Sequence, residues 1–224
     1  MLKVGLTGGI AAGKSVVGEM FVALGAHLVQ SDRIAHSLMQ PGEAVYAEVV
    51  RQFGREILNA DGSINRPRLS EIAFGSASAG EGARTSRVEE LNRIVHPEVI
   101  RRQDEWMEEM GRQDAHAIAI VEAALILEAG AAKRFDRLIV VTCTPEQRAV
   151  RFAGRQNISI EDARKEVARR MAAQLPDEEK VKVAHHVIDN SGPLEQTSEQ
   201  VRQVWEKLRA EARTRESASP LDLG

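Results

Sequence analysis

Hydrophobic positions at the start of the chain predict a strand, a helix and a second strand in series. Leu2, Val4 and Leu6 recur at the two-residue spacing of a strand. A helical pattern of apolar residues follows and ends at Gly25, and 26–30 is a second short apolar run. Because two strands joined through a helix run parallel, this opening indicates a βαβ unit in an α/β sheet.

The next stretch, 33–114, has helical spacing and no strand candidate. Its longest pattern, 88–110, includes Pro97, which should break or kink the helix near His96 because proline removes a backbone hydrogen bond. The segment 75–86 is rich in Gly, Ser and Ala and is expected to be a loose surface connection. The simplest interpretation is a helical insertion between two strands of the sheet.

Strand patterns return after the insertion. Three short apolar runs, each followed by polar or glycine residues, indicate buried parallel strands with functional loops at their carboxyl ends. These runs are 117–121, 138–141 and 186–188, and further helical patterns occupy 145–155, 160–174 and 194–213.

Composition excludes several classes of protein. The 224 residues carry a net charge of −3, which argues against a nucleic-acid coat. The single cysteine, Cys143, cannot form an intrachain disulfide, and no Cys/His cluster has zinc spacing. The apolar runs are far shorter than the ~20 residues of a membrane span, and the first residues lack a signal-peptide pattern. We therefore expect a cytoplasmic protein without nucleic-acid or membrane partners.

The sharpest motif is the run 8–15, which matches the P-loop pattern G-x-x-x-x-G-K-[ST]. Glycines at Gly8 and Gly13 let backbone amides approach phosphate oxygens, and the following helix directs its amino terminus at the same anions. Lys14 can reach the β- and γ-phosphates, and the Ser15 hydroxyl can ligate Mg²⁺. The alternative is a chance match in a glycine-rich turn. The predicted nucleotide-binding positions are Gly8, Gly9, Ile10, Ala11, Ala12, Gly13, Lys14, Ser15 and Val16.

Two acidic residues follow predicted strands and are candidates for chemistry. Asp32 could accept or align the proton of an attacking hydroxyl, or it could be the N-cap of a helix beginning near Ile34. Glu122 could hold Mg²⁺ through a water molecule, or it could be an exposed residue at a strand end.

A third candidate is a group of arginines in 145–170, where seven basic and four acidic residues give a local charge of +3. Guanidinium groups stabilise a transferring phosphoryl group well, and a mobile lid would supply them only on closure. The alternative is a solvated helix face, which we expect for Arg148 and Arg164. The arginines of this segment are Arg148, Arg151, Arg155, Arg164, Arg169 and Arg170.

Several phrases in fixed order carry a likeness to a known family. They are Leu-Thr-Gly-Gly-Ile-x-x-Gly-Lys-Ser at 6–15, Ser-Asp-Arg-Ile-Ala-His at 31–36, the stretch 53–66, Leu-x-x-Ile-x-His-Pro at 91–97, Leu-Ile-Leu-Glu at 125–128 and Val-Ile-Asp-Asn-Ser-Gly at 187–192. Over about residues 2–208 the chain resembles the dephospho-CoA kinase family. The resemblance implies ATP-dependent phosphorylation of the ribose 3′-hydroxyl of dephospho-CoA, the last step of coenzyme A synthesis, with Mg²⁺ as cofactor.

The resemblance also implies the architecture, a three-layer P-loop kinase fold with a five-stranded parallel sheet. The expected parts are a nucleotide-binding core at 1–32, 115–144 and 185–213, a helical CoA domain at 33–114, a lid at 145–184 and a mobile tail at 214–224. We expect a monomer with at most weak self-association.

Residue roles follow from the resemblance position by position. Asp32 falls where the family keeps its proposed general base, while Arg151 would lie near the adenine and Arg155 near the phosphates. Together with Lys14, Asp32 and Arg155 are the predicted catalytic residues. The other implied site residues are Asn190 beside the adenine and, for the acceptor, His36, His96, Arg170 and Gln174.

The chain departs from the family pattern in places. Gln30 replaces the first acid of the Asp-x-Asp phrase, which concentrates any base role on Asp32. Gln156 replaces an acid after the lid arginine, and 80–85 looks like a local insertion.

Two other functions fit part of the sequence. A P-loop kinase for a nucleoside monophosphate or a small sugar would also have an insertion and a lid, and the phrases at 53–66 and 91–97 argue against it. A GTPase-like regulator would need an Asn-Lys-x-Asp sequence to read guanine, and the chain has none.

Overall fold

The computed structural model of the protein describes residues 1–74 and 87–214. The chain divides into two compact units, one made of Met1–Gln30 and the chain from Met107 onward, the other of Ser31–Trp106. The predicted loose connection at 75–86, with its insertion at 80–85, lies outside the described residues, as does the predicted mobile tail after Thr214.

A five-stranded parallel sheet is the centre of the first unit. Its strands are β1 Leu2–Gly8, β2 His27–Gln30, β3 Ile118–Glu122, β4 Arg137–Thr142 and β5 His186–Asp189. The order across the sheet is β2-β3-β1-β4-β5, and every neighbouring pair is parallel. The register pairs Glu122 with both Leu6 and Gln30, so the carboxyl ends of three strands meet at one edge. This is the predicted fold, and it is confirmed.

Helices surround or follow these strands. In chain order the helices of the described residues are α1 Lys14–Ala23, α2 Ser31–Leu38, α3 Ala44–Phe53, α4 Arg66–Phe74, α5 Val88–Gln113, α6 Pro145–Gln156, α7 Ile160–Ala172, α8 Asp177–Lys182 and α9 Leu194–Thr214. Two 3₁₀ helices add Arg55–Ile57 and Ala131–Arg134. The sequence pattern missed α8, because six residues rich in charge carry no apolar periodicity. Within 1–74 and 87–214, no helix is both long and apolar enough to cross a membrane.

The core of the first unit lies between the sheet and helices α1 and α9. Leu6 of β1, Val17 and Phe21 of α1, and Val201 and Leu208 of α9 are completely buried in one cluster. Burying each of these side chains contributes about 1.5–3 kcal/mol. The residues on both sides of the P-loop are therefore firmly packed, which fixes the two ends of the loop between β1 and α1.

The second unit is helical and has its own core. Val49 and Phe53 of α3 pack with Val95 and Val99 of α5 in a separate cluster. The predicted break at Pro97 is wrong, since α5 continues through that residue from Val88 to Gln113. Proline removes one backbone hydrogen bond, but the burial of Val95 and Val99 holds the turns on both sides of it.

Candidate active site

The P-loop joins the end of β1 to the start of α1, and two of its glycines are required by close contacts. Gly8 and Gly13 have φ angles of 151° and 95°, which side chains rarely adopt. A Cβ on Gly8 would overlap the carbonyl oxygen of Val141, and a Cβ on Gly13 would overlap the amide of Asn190. The loop therefore lies directly against the ends of β4 and β5.

The start of α1 is open to an anion. The N-cap residue, Gly13, provides no side-chain hydrogen bond to the first turn, so the amides there have no side-chain cap. Lys14 Nζ donates to the carbonyl oxygens of Gly8 at 3.0 Å and Gly9 at 3.2 Å. Uncapped amides beside an ammonium group form a site that attracts phosphate.

Ser15 and Glu122 meet at the same edge of the sheet. Ser15 Oγ donates to Glu122 Oε1 at 2.8 Å, and Gln30 Nε2 donates to Glu122 Oε2 at 2.8 Å. Glu122 is only 8% exposed, so its interpretation as an exposed strand-end residue is wrong. In the sequence, Gln30 was notable only as a departure from the family pattern. In the structure, its hydrogen bond fixes the orientation of the Glu122 carboxylate.

The donor set of this cluster suits Mg²⁺. A hydroxyl and a carboxylate are oxygen ligands of the kind that Mg²⁺ prefers. Across 1–74 and 87–214 there is no cluster of three or more His, Cys, Asp or Glu residues that could enclose a metal ion. An all-protein cage is not needed, because Mg²⁺ in phosphate sites takes one or two carboxylates and fills its other positions with water and phosphate oxygens.

Arg151 and Asn190 both bind the P-loop at Ala12. Arg151 Nη1 and Asn190 Nδ2 donate to the Ala12 carbonyl oxygen at 3.3 and 2.9 Å, and Arg151 Nη2 donates to the Asn190 carbonyl oxygen at 2.9 Å. Thr197 Oγ1 donates to Asn190 Oδ1 at 3.0 Å and fixes the orientation of the amide. Two residues predicted for the adenine side are thus brought together at the loop.

Arg155 and Arg170 share the ring of Phe152. Their guanidinium carbons lie 5.7 and 5.3 Å from the ring centroid. Phe152 is 2% exposed and belongs to a buried cluster against which Ile10 and Ala11 of the P-loop pack. The two arginines, which are themselves exposed, are therefore carried by a ring whose cluster contacts the loop.

Arg170 also forms an exposed ion pair within α7. Its Nε lies 2.6 Å from Glu166 Oε1, and Arg169 binds the same carboxylate. These hydrogen bonds, first that of Arg169, lower the pKa of Glu166 to about 2.

Gln174 follows α7 and has an unusual side chain. Its Oε1 atom is buried and accepts no hydrogen bond from the described residues. Such an unsatisfied acceptor normally costs about 1–3 kcal/mol. Gln174 is thus suited to accept a hydrogen bond from a ligand.

Asp32, His36 and His96 belong to the second unit. Asp32 is an exposed residue in the first turn of α2, which begins at Ser31, so it does not precede its helix as an N-cap would. Its carboxylate has no hydrogen-bond or ion-pair partner in the part of the chain that the structure describes. His36 is exposed on the same helix. His96 is exposed on α5, where partial desolvation by its neighbours lowers its pKa.

Arg148 corrects the expectation of a solvated position. It is completely buried, whereas Arg164 is exposed and pairs at the surface with Glu146, as expected. Helical spacing placed Arg148 on the same face as Arg151 and Arg155. Only the tertiary structure shows that Arg148 contacts the carbonyl oxygen of Ile10 and the carboxylate of Asp177. No signal in the sequence distinguished its environment from that of Arg164.

Comparison with known proteins bears directly on the site. The family model described as dephospho-CoA kinase matches residues 2–196. The chain is 40% identical to the dephospho-CoA kinase of Streptomyces avermitilis, over 93% of this chain and 94% of that one. It is 37% identical to the Aquifex aeolicus dephospho-CoA kinase, over 93% of this chain and 98% of the relative.

The chain belongs to the dephospho-CoA kinase family. Membership makes the protein an ATP-dependent kinase. The solved structure of the Thermus thermophilus protein TT1252 agrees with the fold, at a TM-score of 0.72 and 31% identity over 92% of this chain and 96% of that one. The family match, over residues 2–196, includes the P-loop, Asp32, Glu122 and the arginines of α6 and α7.

Proposed function

We propose that this dephospho-CoA kinase family member transfers the γ-phosphoryl group of ATP to the ribose 3′-hydroxyl of dephospho-CoA, which yields coenzyme A. The observation that carries the proposal is the phosphate site, in which an uncapped helix start, Lys14 and the Ser15–Glu122 pair surround one loop. The family match across 53–66 and 91–97 supports dephospho-CoA over another acceptor.

The P-loop would bind the phosphates of ATP. Amides of the loop and of the first turn of α1 donate to phosphate oxygens, and Lys14 leaves the carbonyls of Gly8 and Gly9 to neutralise the β- and γ-phosphates. Ser15 would ligate Mg²⁺ directly and Glu122 would hold it through water. An ion held there would supply positive charge that offsets the negative charge developing on the phosphate oxygens during transfer.

The acceptor hydroxyl needs a residue to orient it and to take its proton. Asp32 has an exposed carboxylate that none of the residues 1–74 and 87–214 binds, which suits it to accept that proton or to align the hydroxyl. His36, His96, Arg170 and Gln174 would contact the acceptor. The unsatisfied oxygen of Gln174 is the clearest structural support among them.

Arg155 would stabilise the transferring phosphoryl group. A guanidinium group can donate hydrogen bonds to the oxygens of the phosphoryl group. If a lid brings this arginine in only when it closes, the same closure excludes water from the transfer. We propose that 145–184 is the lid that brings Arg155 in, with Arg151 and Asn190 on the adenine side.

The test is a measurement of ADP release with ATP and Mg²⁺ and four alternative acceptors: dephospho-CoA, AMP, adenosine and shikimate. We expect turnover with dephospho-CoA alone, and a product that supports a CoA-dependent enzyme. Turnover with another acceptor instead would retain the kinase and overturn the substrate. Lys14→Ala is the negative control, since it should lose turnover with every acceptor.

A further inference from the structure

Arg148 makes the most complete set of buried polar contacts at the P-loop, although it was not among the predicted site residues. Its side chain is 0% exposed. Nη1 donates to the carbonyl oxygen of Ile10 at 2.9 Å, and Nε donates to that of Cys143 at 3.4 Å. Nη2 forms an ion pair with Asp177 at the start of α8. One guanidinium therefore connects the P-loop, the end of β4 and α8.

This guanidinium also accounts for the glycine at position 9. The φ angle of Gly9 is not positive, so its backbone would tolerate a side chain. A Cβ on Gly9 would overlap Arg148 Nη1 and lie 3.1 Å from Cζ and 3.2 Å from Asp177 Oδ1. Gly9 is therefore restricted by the ion pair beneath it, in contrast to Gly8 and Gly13, which are restricted by their φ angles and other neighbours.

A guanidinium in this position is difficult to displace. Its charge is removed from water and is balanced by Asp177, and its Nε and Nη1 atoms each donate to a main-chain carbonyl oxygen. A lysine could keep the charge but not the fork of donors that reaches Asp177 and Ile10 together. Movement of Asp177 or of Ile10 would therefore leave a buried charge without its partners.

We propose that Arg148, through its ion pair with Asp177, is a positioning residue that fixes the Gly9–Ile10 backbone of the P-loop in the geometry that binds the phosphates of ATP. Arg148 itself does not contact the nucleotide. The proposal rests on the assignment of residues 8–15 as the ATP phosphate site.

The first experiment compares Arg148→Lys with Arg164→Lys. Both variants keep a positive charge opposite a carboxylate of the α6–α8 region. The Arg164–Glu146 pair is exposed, however, and no hydrogen bond among the described residues joins it to the P-loop. We expect Arg148→Lys to raise the dissociation constant for ATP and the KM for ATP about tenfold, the effect of losing one charge-assisted hydrogen bond. The KM for dephospho-CoA should change less than twofold, and Arg164→Lys should change neither.

The second experiment uses the overlap at Gly9. Gly9→Ala should weaken ATP binding about tenfold in the wild-type background, because the new methyl group displaces the guanidinium. In the Arg148→Gln background, where a shorter side chain leaves room, the same substitution should add less than a twofold effect. Such non-additivity shows that the two residues act through one another.

Asp177→Asn provides a variant in case changes at Arg148 prevent folding. It keeps an oxygen that can accept from Arg148 but removes the balancing negative charge. Like Arg148→Lys, it should therefore raise the KM for ATP. A lower melting temperature with unchanged ATP affinity in Arg148→Lys, Arg148→Gln and Asp177→Asn would show a purely structural ion pair and overturn the proposal. Additive effects of Gly9→Ala and Arg148→Gln would also overturn it.

These outcomes are distinct from failure of the proposed function. Lys14→Ala in the same binding assay tests whether residues 8–15 bind ATP at all. If Lys14→Ala binds ATP normally, the phosphate-site assignment itself is wrong. If Lys14→Ala loses binding and the Arg148 variants do not, only the positioning role of Arg148 is overturned.

Discussion

Removing the amide of Gln30 should weaken the binding of Mg²⁺–ATP and leave the binding of metal-free ATP unchanged. Gln30 donates a 2.8 Å hydrogen bond to Glu122 Oε2, while Ser15 donates an equally short one to Oε1. In Gln30→Ala the carboxylate loses one of its two fixed partners and can rotate away from the metal position. Loss of a residue that orients a metal-binding carboxylate lowers the affinity of the site for the metal.

The size of the expected loss of Mg²⁺–ATP affinity follows from the burial of Glu122. The carboxylate is 8% exposed, so water replaces the lost amide poorly. A hydrogen bond to a charged group contributes about 1.5–3 kcal/mol, which corresponds to about a 10- to 100-fold change in affinity. Gln52→Ala is the matched control, because Gln52 Nε2 also donates to a glutamate, Glu90, but at the protein surface.

The assay measures the dissociation constant for ATP by calorimetry, once with excess Mg²⁺ and once with a chelator. Gln30→Ala should raise the constant at least tenfold with Mg²⁺ and less than twofold with the chelator. An equal loss under both conditions would show that Gln30 supports the P-loop and not the metal. No loss under either condition would refute the argument that Glu122 holds the ion.

Three further predictions follow from the same structure. Asp32→Asn should lower kcat about 100-fold or more while ATP binding is retained, and an unchanged kcat in steady-state assays would exclude a base or aligning role. Arg155→Ala should lower kcat more than it raises the KM for ATP, whereas a pure KM effect would place the residue in ground-state binding. Desolvation, supported by nearby cations, lowers the pKa of His186, so this residue contributes stability above its unfolded pKa of about 6.5 that is lost as pH falls through its lower folded value. The melting temperature should therefore fall between pH 7 and pH 5, and His186→Gln should reduce that fall; an unchanged slope would contradict the burial argument.

Local sequence rules were sufficient for the parallel sheet and for the P-loop. Alternation in Leu2, Val4 and Leu6 predicts β1, and the glycines of 8–13 predict a loop that admits phosphate. Both rules depend only on neighbouring residues. They allowed a break or a kink at Pro97, and the break is wrong, because contacts of Val95 and Val99 with other helices outweigh the missing hydrogen bond.

The contacts of the P-loop could not be predicted from local rules, because the residues that make them lie 107 to 178 positions away along the chain. Glu122 reaches Ser15 because β3 lies beside β1, and Arg151 and Asn190 reach Ala12 because β4 and β5 lie on the other side. The position after a predicted strand made Glu122 a candidate, and the family resemblance supplied the roles of Arg151 and Asn190. Neither gave a reason for Gln30 or for Arg148.

The strand order explains why those two residues behave as they do. β2 lies next to β3, so whatever side chain ends β2 must face Glu122, and an amide there donates where a second acid would repel. The helix after β4 begins beside the P-loop, and Arg148 near its start is buried against the loop backbone. A buried charge there needs a partner, which α8 supplies in Asp177. A change of side chain at either position therefore changes the environment of the phosphate site itself. For this reason the variants at Gln30 and Arg148 should separate metal binding from loop geometry, a distinction that substitutions of the motif residues cannot make.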